Sequence, residues 1–469
     1  MALFKAQGYQ GFGSFQSENP EVLIRIPSSE YLQPPRPISI SHLEQVHSSF
    51  GTEIRAKCFL LDPSWTFINH GAFGAACNRA LEASRAWQRY TEEQPLRFID
   101  RELFPLLCHS IRRVAEFVHA PPTSIAIVPN ATYALTSVIQ SHNVATGDVI
   151  CTLDIGYGSL KKMALHSLSM KSLNPDSYVS LKIDIPCTKN DLIVQVLEKV
   201  PFNCSLLIVD HVTSNTGIVM PIKEIIDGVR QKLPLCTILI DGAHGLGSLD
   251  LNLEDLGADY YVSNFHKWLC STRGVGLLYS RTPELALKVR AAVVSHGFGA
   301  GYTSEFIWDG CRDYSMAVAL PELLDWWAED DLLIQSRRYC RELLISAVEL
   351  LSTRWETRSH MNLVDGCYSH MACIELPKSC LPPGAINSEG LVRCTTSHSK
   401  MLQDALHYAF KIEVPVKTLP SHYGDTRSYV RISAMIYNSL EEYKRLADAV
   451  LQIRWILDGR GEVELATTV

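Results

Sequence analysis

Tyr260–Trp268 reads YYVSNFHKW, a short apolar and aromatic segment that delivers one lysine, Lys267, between a histidine and a tryptophan. Just upstream, Ile238–His244 reads ILIDGAH, a β-branched apolar run that stops at Asp241. A run of this kind is typical of a buried parallel strand at its C-terminal end. The two segments therefore predict neighbouring strands that bring a lysine and an aspartate to one edge of a sheet.

A lysine taken alone is usually a solvated surface group. Lys267 differs because it follows a buried-looking strand and is predicted to lie beside a strand-end carboxylate. That pair suits a Schiff base to pyridoxal phosphate, in which Lys267 holds the cofactor and Asp241 pairs with the pyridinium nitrogen. The sequence therefore predicts pyridoxal phosphate as the cofactor.

Composition excludes several classes of protein. The chain has 469 residues, which favours two domains over one core, with 46% hydrophobic and 20% charged residues as in ordinary globular proteins. A formal charge of −7 argues against a nucleic-acid binder. No apolar run is long enough to span a bilayer, so no membrane association is expected.

Cysteine usage bears on the compartment and on metal binding. The fourteen cysteines are scattered from Cys58 to Cys394 without a C-x-x-C pair, which favours reduced thiols over disulfides or a zinc site. Met1–Ser17 has neither the apolar core of a signal peptide nor the arginines of a transit peptide. We expect a cytoplasmic protein without a metal.

The chain divides into three predicted parts. Residues 1–60 carry scattered prolines and read as an arm, in which only Ile40–Phe50 has a weak helical rhythm. Residues 61–325 alternate strands with helices, and residues 326–469 read as a smaller α+β domain. In that last part we expect a strand at Ile412–Val416 and a closing helix at Leu440–Leu457.

Alternating strands and helices predict an α/β fold with a doubly wound, mostly parallel sheet, whose ligands collect at the C-terminal ends of the strands. Many polar residues fall at or near predicted strand ends: Asn130, Tyr157, Asp210, Ser214, Asp241, His244 and Lys267. One polar strand end is common, but this many converging residues predict a ligand site.

Three further positions have both a structural and a functional interpretation. Asn130 or Thr132 can cap a helix whose free N–H groups would also bind a phosphate. Asn69, His70 and Gly71 suit a tight turn as well as a binding loop. Arg431 lies inside the apolar strand Val430–Ala434, so it needs an anionic partner, either a structural carboxylate or a substrate carboxylate.

Together these segments resemble the fold-type I, class V pyridoxal phosphate enzymes of the isopenicillin-N-epimerase-like group. The resemblance runs from about Phe67 to Leu457 and is closest to L-cysteine desulfhydrases and cysteine-sulfoxide C–S lyases. It rests on these phrases: Asn69-His70-Gly71-x-Phe73-Gly74, Asn130-Ala131-Thr132, Asp210-His211-x-Thr213-Ser214, Asp241-x-Ala243-His244, Tyr260–Trp268, Val294-Ser295-His296-x-Phe298-Gly299, Arg312–Ser315, and Val430–Ser433 followed by Tyr437-Asn438.

The resemblance implies a seven-stranded type of sheet and a role for each site residue. Lys267 would carry the cofactor and then act as the base at Cα, Asp241 would keep the ring nitrogen protonated, and Tyr157 would stack on the ring. The phosphate would be bound by Asn130, Ala131, Thr132, Asn264 and His266. The ring hydroxyl would contact Ser214 or His244, and Asp210 would make a further cofactor contact. The substrate carboxylate would bind Arg431, with Asn69 and His70 nearby.

The resemblance also implies a homodimer with shared active sites, in which the aromatic loop from His296 to Trp308 is a plausible contact. One position departs from the pattern. Related sequences usually have threonine where this chain has Cys311, and that threonine often reaches the neighbouring subunit's phosphate. Cys311 puts that single contact in doubt.

For the reaction, the resemblance implies β-elimination at the C–S bond of cysteine or an S-substituted cysteine. The products would be pyruvate, ammonia and a sulfur compound. Epimerisation and transamination of an amino acid are the alternatives, because they share the first proton removal. A cysteine desulfurase is a weaker alternative, since it needs a mobile nucleophilic cysteine and Cys394 lacks a small-residue loop. A non-catalytic cofactor carrier conflicts with the intact lysine, aspartate and arginine.

Overall fold

The computed structural model describes residues 12, 18–40, 49–185, 187–358, 366–420, 425–457 and 463–465. Its strands are β1 (Thr66–Phe67), β2 (Ile125–Val128), β3 (Val149–Leu153), β4 (Tyr178–Leu181), β5 (Cys204–Asp210), β6 (Thr237–Asp241), β7 (Tyr260–Asn264), β8 (Gly276–Ser280), β9 (Met371–Glu375), β10 (Ile412–Glu413), β11 (Val416–Pro420), β12 (Thr426–Ser433), β13 (Trp455–Leu457) and β14 (Val463–Leu465).

The helices lie between these strands and at both ends of the chain. They are α1 (Pro20–Arg25), α2 (Thr52–Cys58), α3 (His70–Phe73), α4 (Asn78–Glu93), α5 (Pro95–Arg97), α6 (Leu103–Phe117), α7 (Ala131–Ser141), α8 (Gly158–Met170), α9 (Lys189–Lys199), α10 (Ile222–Lys232), α11 (Leu253–Leu256), α12 (Pro283–Lys288), α13 (Tyr302–Ile307), α14 (Ser315–Val318), α15 (Leu320–Ala328), α16 (Leu332–Trp355), α17 (Thr396–Phe410) and α18 (Leu440–Gln452). None of the described helices is both long and apolar enough to cross a bilayer.

The central sheet has seven strands in the order β2-β8-β7-β6-β5-β3-β4. The pairs from β7 through to β4 are parallel, and β8 is antiparallel to both of its neighbours. The predicted α/β fold with a mostly parallel sheet is thereby confirmed.

Both faces of this sheet are buried. Along β5, Leu207 and Val209 belong to one apolar core, and the alternating residues Leu206 and Ile208 belong to a second core on the other face. Side chains on a strand alternate between faces, so a strand buried on both sides must be apolar throughout. This explains why the strand sequences read as continuous β-branched runs that become polar only where they end.

A smaller antiparallel sheet, β11-β12-β9, follows in the C-terminal part. Arg431 on β12 pairs with Cys373 on β9, and Tyr429 pairs with Lys417 on β11. Directly paired residues share one face of a sheet, so these four side chains lie on the same side. The opposite side carries Val430 and Ile432, which are buried in the main core.

Several predicted elements have different bounds. The closing helix ends at Gln452 instead of Leu457, because the chain turns at Ile453 and continues into the β13–β14 hairpin. The predicted strand Ile412–Val416 is two strands: β10 pairs with β1, and β11 joins the smaller sheet after Pro415, which has no N–H to donate. The aromatic loop from His296 to Trp308 contains helix α13, whose side chains are buried.

The described part of the arm packs onto the rest of the chain. Glu21 on α1 accepts a hydrogen bond from the Ser304 backbone N–H at 2.8 Å, and Ile24 and Ile54 are buried. The predicted helical rhythm at Ile40–Phe50 falls largely on residues 41–48, outside the described residues. The boundaries at residues 60 and 325 stay a prediction.

Candidate active site

Lys267 lies three residues beyond the end of β7 and is partly buried. Its Nζ is 3.0 Å from His244 Nε2, and its carbonyl oxygen faces His70 Nε2 at 2.8 Å. Burial lowers the pKa of the Lys267 amine to about 8; the negative charge of Asp241 opposes this shift and the positive charge of Arg431 adds to it. A larger fraction of this amine than of an ordinary lysine is therefore neutral and nucleophilic near neutral pH.

Two buried carboxylates end adjacent strands beside this lysine. Asp241 and Asp210 are direct partners in the β5–β6 pairing. Asp241 Oδ1 accepts from the Ala243 N–H and Asp210 Oδ1 from the Tyr157 N–H, both at 3.0 Å, while Asp210 Oδ2 has no partner among the described residues. Burial raises the pKa of both groups, and the charge of Asp241 raises that of Asp210 further. This pair is stabilised by a cationic ligand group placed between them.

Two histidines flank the lysine with one ring nitrogen each unsatisfied. His244 Nδ1 and His266 Nδ1 are buried and have no hydrogen-bond partner among the described residues. Burial lowers the pKa of His244 well below its usual range and that of His266 to about 4, with the Lys267 charge second in both cases. Both rings are therefore neutral, and each has a hydrogen-bonding atom available to a ligand.

The N-terminus of helix α7 closes another side of the site. Asn130 Oδ1 caps the helix by accepting from the Tyr133 N–H at 2.9 Å, and Asn264 Oδ1 accepts from the Ala131 N–H at the same distance. Asn264 ends β7, so this contact ties the helix N-terminus to the strand that leads to Lys267. Thr132 is exposed, and its N–H belongs to the free first turn where the helix dipole favours an anion.

Arg431 projects from β12 toward the same region and is 3% exposed. Its Nη1 donates to the Ser214 carbonyl and its Nη2 to Asn69 Oδ1 at 3.3 Å, while Nε has no partner. Within the part of the chain that the structure describes, no carboxylate lies within 4 Å of this guanidinium. The structural alternative of a protein carboxylate is thus not found there, and the guanidinium can take an external anion.

The orientation of Asn69 follows from a residue that the sequence did not single out. Glu413 on β10 accepts from Asn69 Nδ2 at 3.1 Å and has its other oxygen 3.0 Å from His407 Nδ1. Because a carboxylate only accepts, the Asn69 amide nitrogen must face Glu413 and its oxygen must face Arg431. No local signal marks Glu413, since its partner lies more than three hundred residues away.

The structure changes the interpretation of His70. Its Nε2 faces a carbonyl oxygen and must donate, so its Nδ1 accepts from the Tyr437 hydroxyl at 2.7 Å. Both ring nitrogens are therefore occupied within the protein, and burial lowers the pKa of the ring to about 4. His70 holds the Lys267 peptide in place and has no ring atom left for the predicted substrate contact.

Ser214 and Tyr157 lie at the site in different ways. Ser214 contacts Arg431 through its backbone carbonyl, and His244 is the group that meets Lys267. Tyr157 precedes α8 and is 41% exposed, and its backbone N–H donates to Asp210. A half-exposed tyrosine anchored by its backbone suits stacking on a flat ligand.

The cysteines of the C-terminal part are not exposed nucleophiles. Cys394 is buried in a small satellite cluster with Ala385 and Val392, and burial raises its pKa. Cys373 lies beside Arg431, but its thiol donates to the Asn215 carbonyl at 3.3 Å and burial raises its pKa to about 12. Neither thiol is in the thiolate form that attack on sulfur requires.

These residues fit pyridoxal phosphate. The cofactor combines an aldehyde, a protonatable ring nitrogen, a ring hydroxyl and a phosphate. The site offers a partly buried lysine of lowered pKa, paired carboxylates at strand ends, an unsatisfied histidine nitrogen on each side and a helix N-terminus. Each of these groups is otherwise difficult to account for in a protein interior.

Comparison with known proteins agrees with this fit. Residues 108–298 match the family model of the class-V aminotransferases. The chain is 30% identical to a probable chloroplastic L-cysteine desulfhydrase of Arabidopsis thaliana, over 90% of this chain and 88% of that protein. It is 26% identical to isopenicillin N epimerase of Streptomyces clavuligerus, over 83% of this chain and 95% of that protein. Its fold matches the cystine C–S lyase C-DES with a TM-score of 0.67 at 18% identity, covering 83% of this chain and 98% of that one.

Proposed function

This chain belongs to the class-V aminotransferase family of pyridoxal phosphate enzymes, and from that premise we propose that it is a carbon–sulfur lyase. It would catalyse β-elimination on cysteine or an S-substituted cysteine, releasing pyruvate, ammonia and a sulfur product. The observation that carries the proposal is the Lys267 amine of lowered pKa, near two strand-end carboxylates and near an arginine that has no carboxylate partner among the described residues. The relatives named L-cysteine desulfhydrase support the choice of reaction.

When bound, pyridoxal phosphate would supply the electron withdrawal that makes the Cα proton of an amino acid acidic and lets a sulfur group on Cβ leave. Lys267 is the group that removes the Cα proton in this proposal. Its lowered pKa supports the role, because a base that is neutral near the working pH accepts a proton readily. His244, 3.0 Å from Nζ, keeps the amine oriented.

Asp241 has the role of keeping a cationic ring nitrogen in the site. Its carboxylate accepts one backbone N–H and is otherwise desolvated. The electrostatic attraction between this carboxylate and a protonated ring nitrogen is therefore stronger here than it would be in water. Asp210, whose pKa burial and the Asp241 charge both raise, anchors the Tyr157 backbone. We assign Tyr157 to stacking on the ring and His244 to the ring hydroxyl, with Ser214 acting through its carbonyl on Arg431.

We assign the phosphate to the N-terminus of α7. The proposed contacts are the first-turn backbone of the helix and the side chains beside it, namely Asn130, Ala131, Thr132, Asn264 and His266. The Ala131 and Tyr133 N–H groups are held by Asn264 and Asn130, so support comes from the Thr132 N–H of the same turn and from the unsatisfied His266 Nδ1. Helix N-termini bind phosphate because their free N–H groups and dipole both favour negative charge.

Arg431 clamps the substrate α-carboxylate in this proposal, with Asn69 holding the guanidinium in place. A planar guanidinium binds a carboxylate through two parallel hydrogen bonds, and the free Nε together with one terminal nitrogen is a suitable pair. An amino acid held this way has its Cα directed toward Lys267 and its side chain free of the clamp. The sulfur group can then leave without a protein nucleophile, in keeping with the buried state of Cys394 and Cys373.

We also propose a homodimer, located in a reducing compartment such as the cytoplasm. Large apolar side chains near the site are exposed, with Phe73 at 72%, Val294 at 69% and Phe298 at 58%. Exposed apolar side chains of this size are enriched at interfaces between copies. All fourteen cysteines are free thiols, which supports a reducing environment.

A substrate panel tests the reaction. Purified enzyme would be given L-cysteine and neutral S-alkyl cysteines, and pyruvate, sulfide or thiol, D-amino acid, alanine and amino transfer to a keto acid would be measured. We expect pyruvate in equal amount to the sulfur product. Racemised amino acid without pyruvate would favour the epimerase alternative, which the similarity to isopenicillin N epimerase keeps open. Alanine as the product would show a desulfurase and contradict the proposal.

A further inference from the structure

The face of the smaller sheet that carries Arg431 holds a second cation. Lys417 on β11 pairs directly with Tyr429, and Arg431 lies two residues further along β12 on the same face. Diagonal neighbours of this kind have their Cα atoms about 7–8 Å apart, within reach of long side chains. Thr418, the next residue, is on the opposite face, where its hydroxyl meets Ser399 of α17. Lys417 therefore shares the side of the sheet from which Arg431 reaches the active site.

Lys417 is half-buried and is not neutralised within the described part of the chain. No carboxylate there lies within 4 Å of its Nζ, and no hydrogen bond from Nζ is found. Burial lowers the pKa of Lys417, and the charge of Arg431 lowers it further. A surface lysine would gain by turning toward water or toward an acidic neighbour, so this arrangement needs another explanation.

Acidic residues on the same face are already engaged. Glu375, which pairs with Tyr429 on the other side, accepts from Arg427 Nη1 at 2.6 Å. Asp425 accepts from the same guanidinium at 3.1 Å. Arg427 is thus the structural arginine of this face, with two carboxylates of its own. Lys417 and Arg431 remain as two neighbouring cations that have no anionic partner among the residues the structure describes.

We propose that Lys417 is a specificity residue, and that the substrate is an S-substituted cysteine carrying a second anionic group beyond the sulfur. The inference rests on the function proposed above and names its substrate class. Arg431 holds the α-carboxylate, and Lys417, about one side-chain length away across the sheet, binds a carboxylate or sulfonate at the far end of the substrate. Two anions separated by a short chain neutralise both cations, which a simple S-alkyl cysteine cannot do.

Two matched substrates test this. S-carboxymethyl-L-cysteine and its side-chain amide, S-carbamoylmethyl-L-cysteine, have the same shape and differ in one negative charge. We expect the holoenzyme to turn over the acid with a kcat/KM at least about fivefold higher than the amide, as one partly buried charged contact supplies. Lys417→Met should remove most of that preference by raising KM for the acid, with the amide changed less than about twofold. Lys417→Arg should retain part of it.

The control variant is Lys378→Met, which removes an exposed lysine of the same part of the chain and should leave the preference unchanged. Lys417→Gln serves as a second neutral variant should the methionine variant fold poorly, judged by circular dichroism. A wild-type enzyme that treats acid and amide alike overturns the inference. So does a Lys417→Met variant in which both substrates change equally, because a structural role would act on both.

A binding measurement separates this inference from the proposed reaction. L-2-aminoadipate has a methylene where S-carboxymethyl-cysteine has sulfur, so it cannot undergo the elimination. Calorimetry of the holoenzyme with this ligand and with its side-chain amide should show the same charge preference and the same loss in Lys417→Met. If no S-substituted cysteine yields pyruvate but the binding preference is present, the reaction is wrong and the anion site stands. If pyruvate forms but neither assay depends on charge, the anion site is wrong and the reaction stands.

Discussion

Replacing Arg431 with methionine should separate substrate binding from stability. The guanidinium is buried and donates to two neutral acceptors, the Ser214 carbonyl and Asn69 Oδ1. Losing two hydrogen bonds from a charged group costs about 3–5 kcal/mol. Removing a buried charge that has no described counter-ion regains several kcal/mol of desolvation free energy. We therefore expect the free energy of unfolding of Arg431→Met to lie within about 2 kcal/mol of the wild type.

Binding of the amino acid should behave very differently. The α-carboxylate would lose its bidentate partner in a desolvated pocket, which costs about 2–5 kcal/mol. This corresponds to a loss of roughly thirtyfold to several thousandfold in kcat/KM. Because a lysine supplies charge without the planar fork, Arg431→Lys should recover only part of that loss.

Arg427→Met is the matched control, since Arg427 lies on the same strand and the same face but binds Glu375 and Asp425. It should lower the free energy of unfolding by about 1–3 kcal/mol, because it leaves two partly buried carboxylates unpaired. Its kcat/KM should change little. Guanidinium denaturation and steady-state pyruvate release measure the two quantities on each variant. An Arg431→Met variant that loses 3 kcal/mol or more of stability while keeping its kcat/KM would refute the assignment of Arg431 to substrate.

Three further predictions concern the lysine, the aspartate and the cysteine. Sodium borohydride should fix the cofactor to Lys267. Cofactor uptake by the apo-protein should rise with pH, with a midpoint near the lowered Lys267 pKa of about 8, and level off roughly one pH unit higher, where the amine is mostly neutral. A midpoint near the ordinary lysine pKa of about 10 would contradict this prediction. Asp241→Asn should keep the cofactor's absorbance but slow Cα-proton exchange in deuterated water a few hundred-fold, about 3–4 kcal/mol, and near-normal exchange would count against the ring-nitrogen role. Cys394→Ser should change pyruvate release less than about twofold, whereas loss of activity with alanine as product would indicate a desulfurase.

The sequence predicts the positions of the central strands better than it predicts the boundaries of the elements around them. Strands buried on both faces need continuous apolar runs, so β5, β6 and β7 could be located from hydrophobicity alone. Their polar ends are visible for the same reason, which is why Asp210, Asp241 and Lys267 could be identified before the fold was known. Boundaries were less certain where two short strands share one apolar run, as at Ile412–Val416, or where a helix passes directly into a hairpin after Gln452.

By itself, the sequence determined the α/β class, the order of strands and helices, and the lysine–aspartate pair, because each depends on local periodicity or on a strand end. Only the tertiary structure shows which polar side chains of the site have hydrogen-bond or ion-pair partners among the described residues. The hydrogen bond between His70 and Tyr437 and the one by which Glu413 orients Asn69 join residues that are 367 and 344 positions apart. That Arg431 and Lys417 have no carboxylate partner in the described part of the chain is recognisable only once β12 and β11 are paired and Arg427 is seen to bind Glu375 and Asp425. Charge compensation depends on distances in space, and only the folded chain defines those distances.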